Sequence, residues 1–281
     1  MNAIETKGLC KTYDDFKLDS IDLVLPSGCI MGLVGENGAG KSTTMELIMN
    51  TVKSDAGQVT VLGTDNKSSD FRKLKEEIGV VLDEAYFPLV LNAKDVNIVM
   101  KNTYGNWDEN CFYDYLGKFS LPIKKQFKDF SRGMKMKLAI AVALSHNSKL
   151  LILDEATSGL DPMVRDEILD IFNDFTRDET HSVLLSSHIV SDLEKICDYI
   201  AFIHKGKLVF CEEKDRLLDK YGVVRLSKAD FDVIPRSAVK GKKVTDYGVE
   251  ALVIRDAVSG AIAIERASIE DIILYIAKED K

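Results

Sequence analysis

Apolar positions along the chain fall into two alternating rhythms. Residues 21–25 alternate apolar and polar, as a half-buried strand does, and Pro26-Ser27-Gly28 then turns the chain. Residues 29–34 are nearly all apolar, the mark of a strand covered on both faces, and a helical stretch follows from Thr44 to Met49. The alternation continues with an edge strand over 57–63, a charged helix over 71–77 and a strand over 78–82 that ends at Asp83-Glu84. It resumes at a strand over 150–153 that ends in Asp154-Glu155. An amphipathic helix over 164–175, a strand over 183–187 ending at His188, a helix over 190–197 and a hairpin around Lys205-Gly206 complete it. Strands alternating with helices predict an α/β fold on a parallel sheet, with ligands at the carboxyl ends of the strands. Gly35, Asp83, Asp154 and His188 all fall at such ends.

Two stretches break the rhythm. Between residues 85 and 148 the pattern is helical. A helix over 92–103 starts on Asn92 and Asp95, and one over 107–119 puts Cys111, Phe112, Tyr115, Leu116 and Phe119 on a single face. Pro122 ends it, and a third helix runs from near Ser131 to Leu144. From about Asp219, short strands over 223–226, 251–254 and 261–265 precede a helix over 268–278, capped by Ser268 with Asp271 three residues on. The predicted organisation is a main domain over 1–218 with a helical insertion over 85–148, and a small α/β appendage over 219–281.

Composition narrows the partners. The 281 residues carry a net charge of −8 with no long basic run, which argues against nucleic acid as a partner. Five scattered cysteines show no metal spacing and read as buried thiols in a reducing compartment. No signal segment opens the chain, and no apolar run approaches the ~20 residues that cross a bilayer. A soluble chain is expected, held by another subunit if it works at a membrane.

The chemistry centres on Gly35-Glu36-Asn37-Gly38-Ala39-Gly40-Lys41-Ser42-Thr43, which fits G-x-x-x-x-G-K-[ST] between a strand and a helix. Glycines let backbone N–H groups turn toward phosphate oxygens, and the helix that follows adds its N-terminal partial positive charge. Lys41 would reach the β- and γ-phosphates of a nucleotide and Ser42 would hold Mg²⁺. Asp154 is the second Mg²⁺ candidate, through water, and Glu155 the group that polarises an attacking water. His188, at a strand end in this set, reads as a γ-phosphate sensor.

In this order the motifs resemble the ATP-binding subunits of ABC transporters, over residues 1 to about 215. The signature sequence of that family matches Phe130-Ser131-Arg132-Gly133-Met134, its D-loop Ser158-Gly159-Leu160-Asp161, and its switch histidine Ser187-His188. The resemblance implies a P-loop NTPase core with an antiparallel β edge beside the parallel sheet. It implies ATP and Mg²⁺ as ligands, adenine stacked on Tyr13, and a head-to-tail homodimer or heterodimer. In that dimer Ser131 and Gly133 of one subunit face the ATP held by the other. A separate integral membrane permease would take up the motion through the helical insertion, at the inner face of the cell membrane. Export rather than import follows from the signature variant and the appendage, by analogy.

Two positions depart from the family pattern. Asp83 stands where a glutamine that touches Mg²⁺ and the lytic water is usual; it is shorter and charged, and still suited to Mg²⁺ through water. Arg132-Gly133-Met134 replaces glycine-glycine-glutamine, and Arg132 either adds charge near the γ-phosphate or is a solvated surface group. The competing readings are a soluble ATPase of this type acting on ribosomes or DNA, and a non-catalytic partner in a heterodimer. The single nucleotide module and the acidic balance oppose the first; Glu155 and His188 oppose the second.

Overall fold

The computed structural model describes residues 1–83, 87–246, 248–258 and 262–279. The chain opens with three strands, β1 (Asn2–Thr12), β2 (Lys17–Ile21) and β3 (Val24–Pro26), followed by the fully buried β4 (Ile30–Val34) and helix α1 (Lys41–Ile48). Next come β5 (Ala56–Val61), β6 (Thr64–Asp65), α2 (Phe71–Leu74) and β7 (Ile78–Val81). The helical insertion supplies α3 (Ala93–Thr103), α4 (Glu109–Lys118) and α5 (Arg132–Leu144). The α/β rhythm returns with β8 (Leu150–Asp154), α6 (Pro162–Phe175), β9 (Ser182–Ser186), α7 (Val190–Ile196) and the hairpin β10 (Tyr199–His204) with β11 (Lys207–Glu213). The last part holds α8 (Lys214–Lys220), β12 (Tyr221–Leu226), α9 (Lys228–Phe231), β13 (Val239–Thr245), β14 (Gly248–Ile254), β15 (Glu265–Arg266) and α10 (Ile269–Glu279).

Six strands form the central sheet in the order β11-β10-β4-β9-β8-β7, parallel except for β11. A second, antiparallel sheet runs β2-β1-β5-β6 with β3 also on β1, and its apolar face shares a core with one face of the central sheet through Ile4, Val59, Met31, Leu33 and Ile152. The other face is covered by the insertion and α6 and α7, with Phe112, Phe172 and Phe202 fully buried. A third sheet, β13-β14-β12-β15, belongs to the last part.

The expected α/β core, antiparallel edge, helical insertion and final α/β part are all present. The insertion starts on a complete capping box, Asn92 accepting from the Asp95 N–H at 3.1 Å while Asp95 accepts from the Asn92 N–H at 3.1 Å. The same device opens α10, where Ser268 and Asp271 exchange hydrogen bonds at 3.0 Å.

Three expectations are corrected. The strand expected over 21–25 is broken at Asp22 and Leu23, because side chains take over the ladder there. Asp22 accepts from the Gly8 N–H at 2.6 Å, and Thr6 Oγ1 accepts from the Leu23 N–H at 2.8 Å. The strand expected at an edge over 57–63 is β5, which lies inside its sheet between β1 and β6. The charged helix over 71–77 tightens to a 3₁₀ turn over Lys75–Glu77 before β7. The strand β13 was not anticipated, because its lysines mask the alternation, and neither was α8. Glu84 and Ala261, assigned to a strand end and a strand, lie outside the described residues.

Candidate functional site: the phosphate loop and its surroundings

The loop over 35–40 leaves β4 and feeds α1, and two contacts explain its glycines. A Cβ on Gly35 would collide with the Ile203 carbonyl of β10. Gly40 is left-handed at φ +113, and a Cβ there would lie 2.7 Å from Leu18 and 2.9 Å from Phe16. The hairpin tip supports the loop from the far side, with the Gly206 N–H donating to the Ala39 carbonyl at 3.1 Å.

Lys41 is buried. Its ammonium donates to the Gly35 carbonyl at 2.8 Å and the Glu36 carbonyl at 3.4 Å, and stands 3.6 Å from Glu155 Oε1. The other carboxylate oxygen of Glu155 meets His188 Nδ1 at 2.6 Å. One carboxylate therefore bridges the phosphate-loop lysine and the switch histidine. Glu155 holds this position from a left-handed backbone, φ +50, and its N–H donates to Ser186 Oγ at 3.0 Å. Ser186 Oγ in turn donates to Asp154 Oδ1 at 2.5 Å. The register that pairs Asp154 with Ser186 on neighbouring parallel strands makes this arrangement.

These groups surround one cavity of about 530 Å³, lined by Glu36, Asn37, Gly38, Gly40, Lys41, Ser42 and Thr43 of the loop, with Asp83, Asp154 and Glu155 across from them. The three acids named from the sequence line the same cavity as the loop. Ser42, Asp83 and Asp154 bring hard oxygen donors to the one cavity, the chemistry Mg²⁺ prefers. No three His, Cys, Asp or Glu side chains gather as a protein-only cage among the described residues.

Not every predicted residue lines the cavity: Gly35 and Ala39 stand beside lining residues in the loop and His188 reaches it only through Glu155, while Tyr13, Ser131 and Gly133 stand elsewhere. Tyr13 is not among the cavity's lining residues; Phe16 and Asp15 are. The Tyr13 ring lies beside Phe16, with centroids 6.5 Å apart and planes at 30°. Sequence reading missed Phe16 because nothing marks an aromatic two residues past the motif's tyrosine-aspartate pair. Ser131 and Gly133 are also absent from this cavity. Ser131 caps α5, accepting from the Met134 N–H at 3.2 Å, and is exposed. Arg132 is exposed, as the surface reading expects, and its guanidinium lies against Gly159, where a Cβ would stand 2.9 Å away.

A buried network behind Glu155 also escaped the sequence. Thr157 donates to Asp192 Oδ2 at 3.0 Å, and Arg165 stands 3.7 Å from the same oxygen while donating to the Leu160 carbonyl at 3.2 Å. It ties the segment after Glu155 to α7, the helix that follows His188. No motif announces it, because its members are far apart in sequence.

Comparison with known proteins extends the picture. The profile of the family described as ABC transporter matches residues 18–158. The lantibiotic transport ATP-binding protein SrtF of Streptococcus pyogenes is 36% identical over 200 residues, covering 70% of this chain and 85% of that protein. The bacitracin transport ATP-binding protein BcrA of Bacillus licheniformis is 33% identical over 209 residues, covering 73% of this chain and 68% of its own. A solved structure described as the ATP-binding subunit of an ABC transporter superposes with a TM-score of 0.69 at 25% identity, covering 76% of this chain and 91% of its own.

Proposed function

The chain belongs to the ABC transporter family as an ATP-binding and ATP-hydrolysing subunit, and from that premise we propose that it drives export of an antibiotic through a separate membrane permease. The relatives named for lantibiotic and bacitracin transport support that class of cargo. No helix among the described residues is long and apolar enough to cross a membrane, so a permease would supply the path and hold the chain at the inner face of the membrane.

The observation that carries the catalytic reading is the Glu155 carboxylate held between Lys41 and His188 at the mouth of the loop cavity. When ATP enters, Lys41 exchanges loop carbonyls for β- and γ-phosphate oxygens, and the backbone N–H groups of residues 38–42 with the α1 dipole hold the phosphates. Glu155 then orients and deprotonates the attacking water, and His188 swings its imidazole from the carboxylate toward the γ-phosphate. Mg²⁺ that accompanies ATP would neutralise phosphate charge, held by Ser42 and Asp154 with Asp83 nearby. Asp154 is kept in place by Ser186. The protein's contribution is positioning and charge stabilisation.

The site is completed by a second copy. Ser131 and Gly133 lie outside the loop cavity and at an exposed helix start, so their N–H groups and the α5 dipole would face the ATP of a partner subunit arranged head to tail. Glu155→Gln keeps the shape of the side chain while removing its basicity. Light scattering with saturating ATP is expected to show a stable dimer for this variant. A monomer under those conditions would sink the sandwich arrangement.

A further inference from the structure

A second cavity, of about 810 Å³, lies between α9, β13 and the end of α10. Small-molecule pockets run from roughly 300 to 1,000 Å³. Phe231 and the buried Ile234 give it an apolar floor. Its rim carries three cations, Arg236, Lys242 and Lys278, against one carboxylate, Asp232. This local excess of positive charge sits in a chain whose net charge is −8.

The three cations are held ready. Among the described residues none of them lies within 4.0 Å of a carboxylate, whereas nearby Arg225 is committed to Glu250 and Glu265, and Lys220 to Glu212. The Lys242 ammonium stands 5.4 Å over the Phe231 ring centroid, which binds the charged rim to the apolar floor. The wall is built by close approach. Gly241 is left-handed at φ +155, and a Cβ there would collide with the Tyr275 carbonyl. Strand β13 thus lies against α10, so Lys242 and Lys278, one turn beyond Tyr275, share a rim.

We propose that this cavity binds a phosphate monoester dianion carried on an apolar or aromatic body. Arg236 supplies the planar fork that matches two phosphate oxygens, Lys242 and Lys278 add point charges, and the body rests on Phe231 and Ile234. A dianion balances three cations less one carboxylate, which a phosphodiester monoanion does not. The group comes either from a soluble organic phosphate or from the headgroup of a phosphomonoester lipid.

Calorimetric titration of the full chain with phenyl phosphate at pH 8 tests this, in a Lys41→Ala background so that the phosphate loop contributes as little as possible. Saturable binding is expected, weakened about tenfold or more when Arg236→Glu and Lys242→Glu are added. Both side chains are exposed, so the doubly reversed chain should melt as its parent does. Lys242→Arg, which keeps the charge, should retain binding. Flotation on phosphatidylcholine vesicles with and without phosphatidic acid separates the sources. Flotation that needs phosphatidic acid and is lost on charge reversal identifies a lipid; titration with phenyl phosphate but no flotation identifies a soluble ligand. Binding to neither probe, or binding indifferent to the charge reversal, overturns the proposal.

Discussion

Lys41 donates to two loop carbonyls and leans on Glu155, so its ammonium is buried at the loop. Truncating it removes the one buried cation of the loop cavity, and Lys41→Ala is expected to abolish ATP turnover; a steady-state phosphate-release assay that stays near the parent rate would overturn the role. The aromatic wall is a sharper matter. Phe16 lines the cavity and closes on Gly40, whereas Tyr13 stands one ring further out and is 42% exposed. Phe16→Ala is therefore expected to weaken ATP binding by about 1 kcal/mol, and Tyr13→Ala by less. Fluorescent-nucleotide titration of both variants decides between them, and the reverse order would assign the adenine to Tyr13. At this scale the loop, Asp154, Glu155 and His188 were legible in the sequence, because each is tied to a strand end by local spacing. Phe16, Ser186 and the Thr157–Asp192–Arg165 network were not, because they join the site through strand register and packing between distant segments.

Elements were legible where a local device announces them. The Asn92–Asp95 and Ser268–Asp271 capping boxes marked two helix starts to the residue, and the uniformly apolar β4 and β8 marked the buried sheet. Strand β13 escaped because Lys240, Lys242 and Lys243 interrupt its pattern, and the break between β2 and β3 because a side-chain hydrogen bond there replaces a ladder bond. Just past the end of α5, the insertion is pinned by His146 to the 3₁₀ turn that leads into β7. It is buried, its Nδ1 lies 2.8 Å from the Glu76 carbonyl, and its ring stacks on Tyr104 at 4.2 Å. Burial pushes this imidazole below its ordinary value. The folded chain thus binds that proton less readily than the unfolded chain, whose histidines titrate near about 6.5. Stability from this group is complete above that range and is lost as pH falls through it, levelling off below the lowered folded value. His146→Gln is expected to flatten the dependence of the melting temperature between about pH 7 and 5; an unchanged slope would place the acid sensitivity elsewhere.

For the whole molecule the question is whether the last sixty or so residues melt on their own. Their third sheet has a small core of its own around Val224, Ala251 and Val253. Yet Leu217, Tyr221, Val223, Leu252, Ile269 and Ile272 belong to the same apolar cluster as Leu193 and Ile196 of α7 and the Phe112 of α4. Helix α10 touches both α7 and α8. A continuous core couples the two parts, so a cavity opened at one end should be felt at the other. Ile272 is fully buried, and Ile272→Ala is expected to remove about 2–5 kcal/mol. The single tryptophan, Trp107, packs against the same cluster from within the insertion, beside Phe112 at 5.2 Å between ring centroids. Its fluorescence therefore reports the insertion alone. If the core is one cooperative unit, the Trp107 transition and the far-ultraviolet circular dichroism transition of Ile272→Ala shift down together. A Trp107 transition that stays where it is in the parent chain, while the dichroism shows an earlier step, would mean that the appendage unfolds independently.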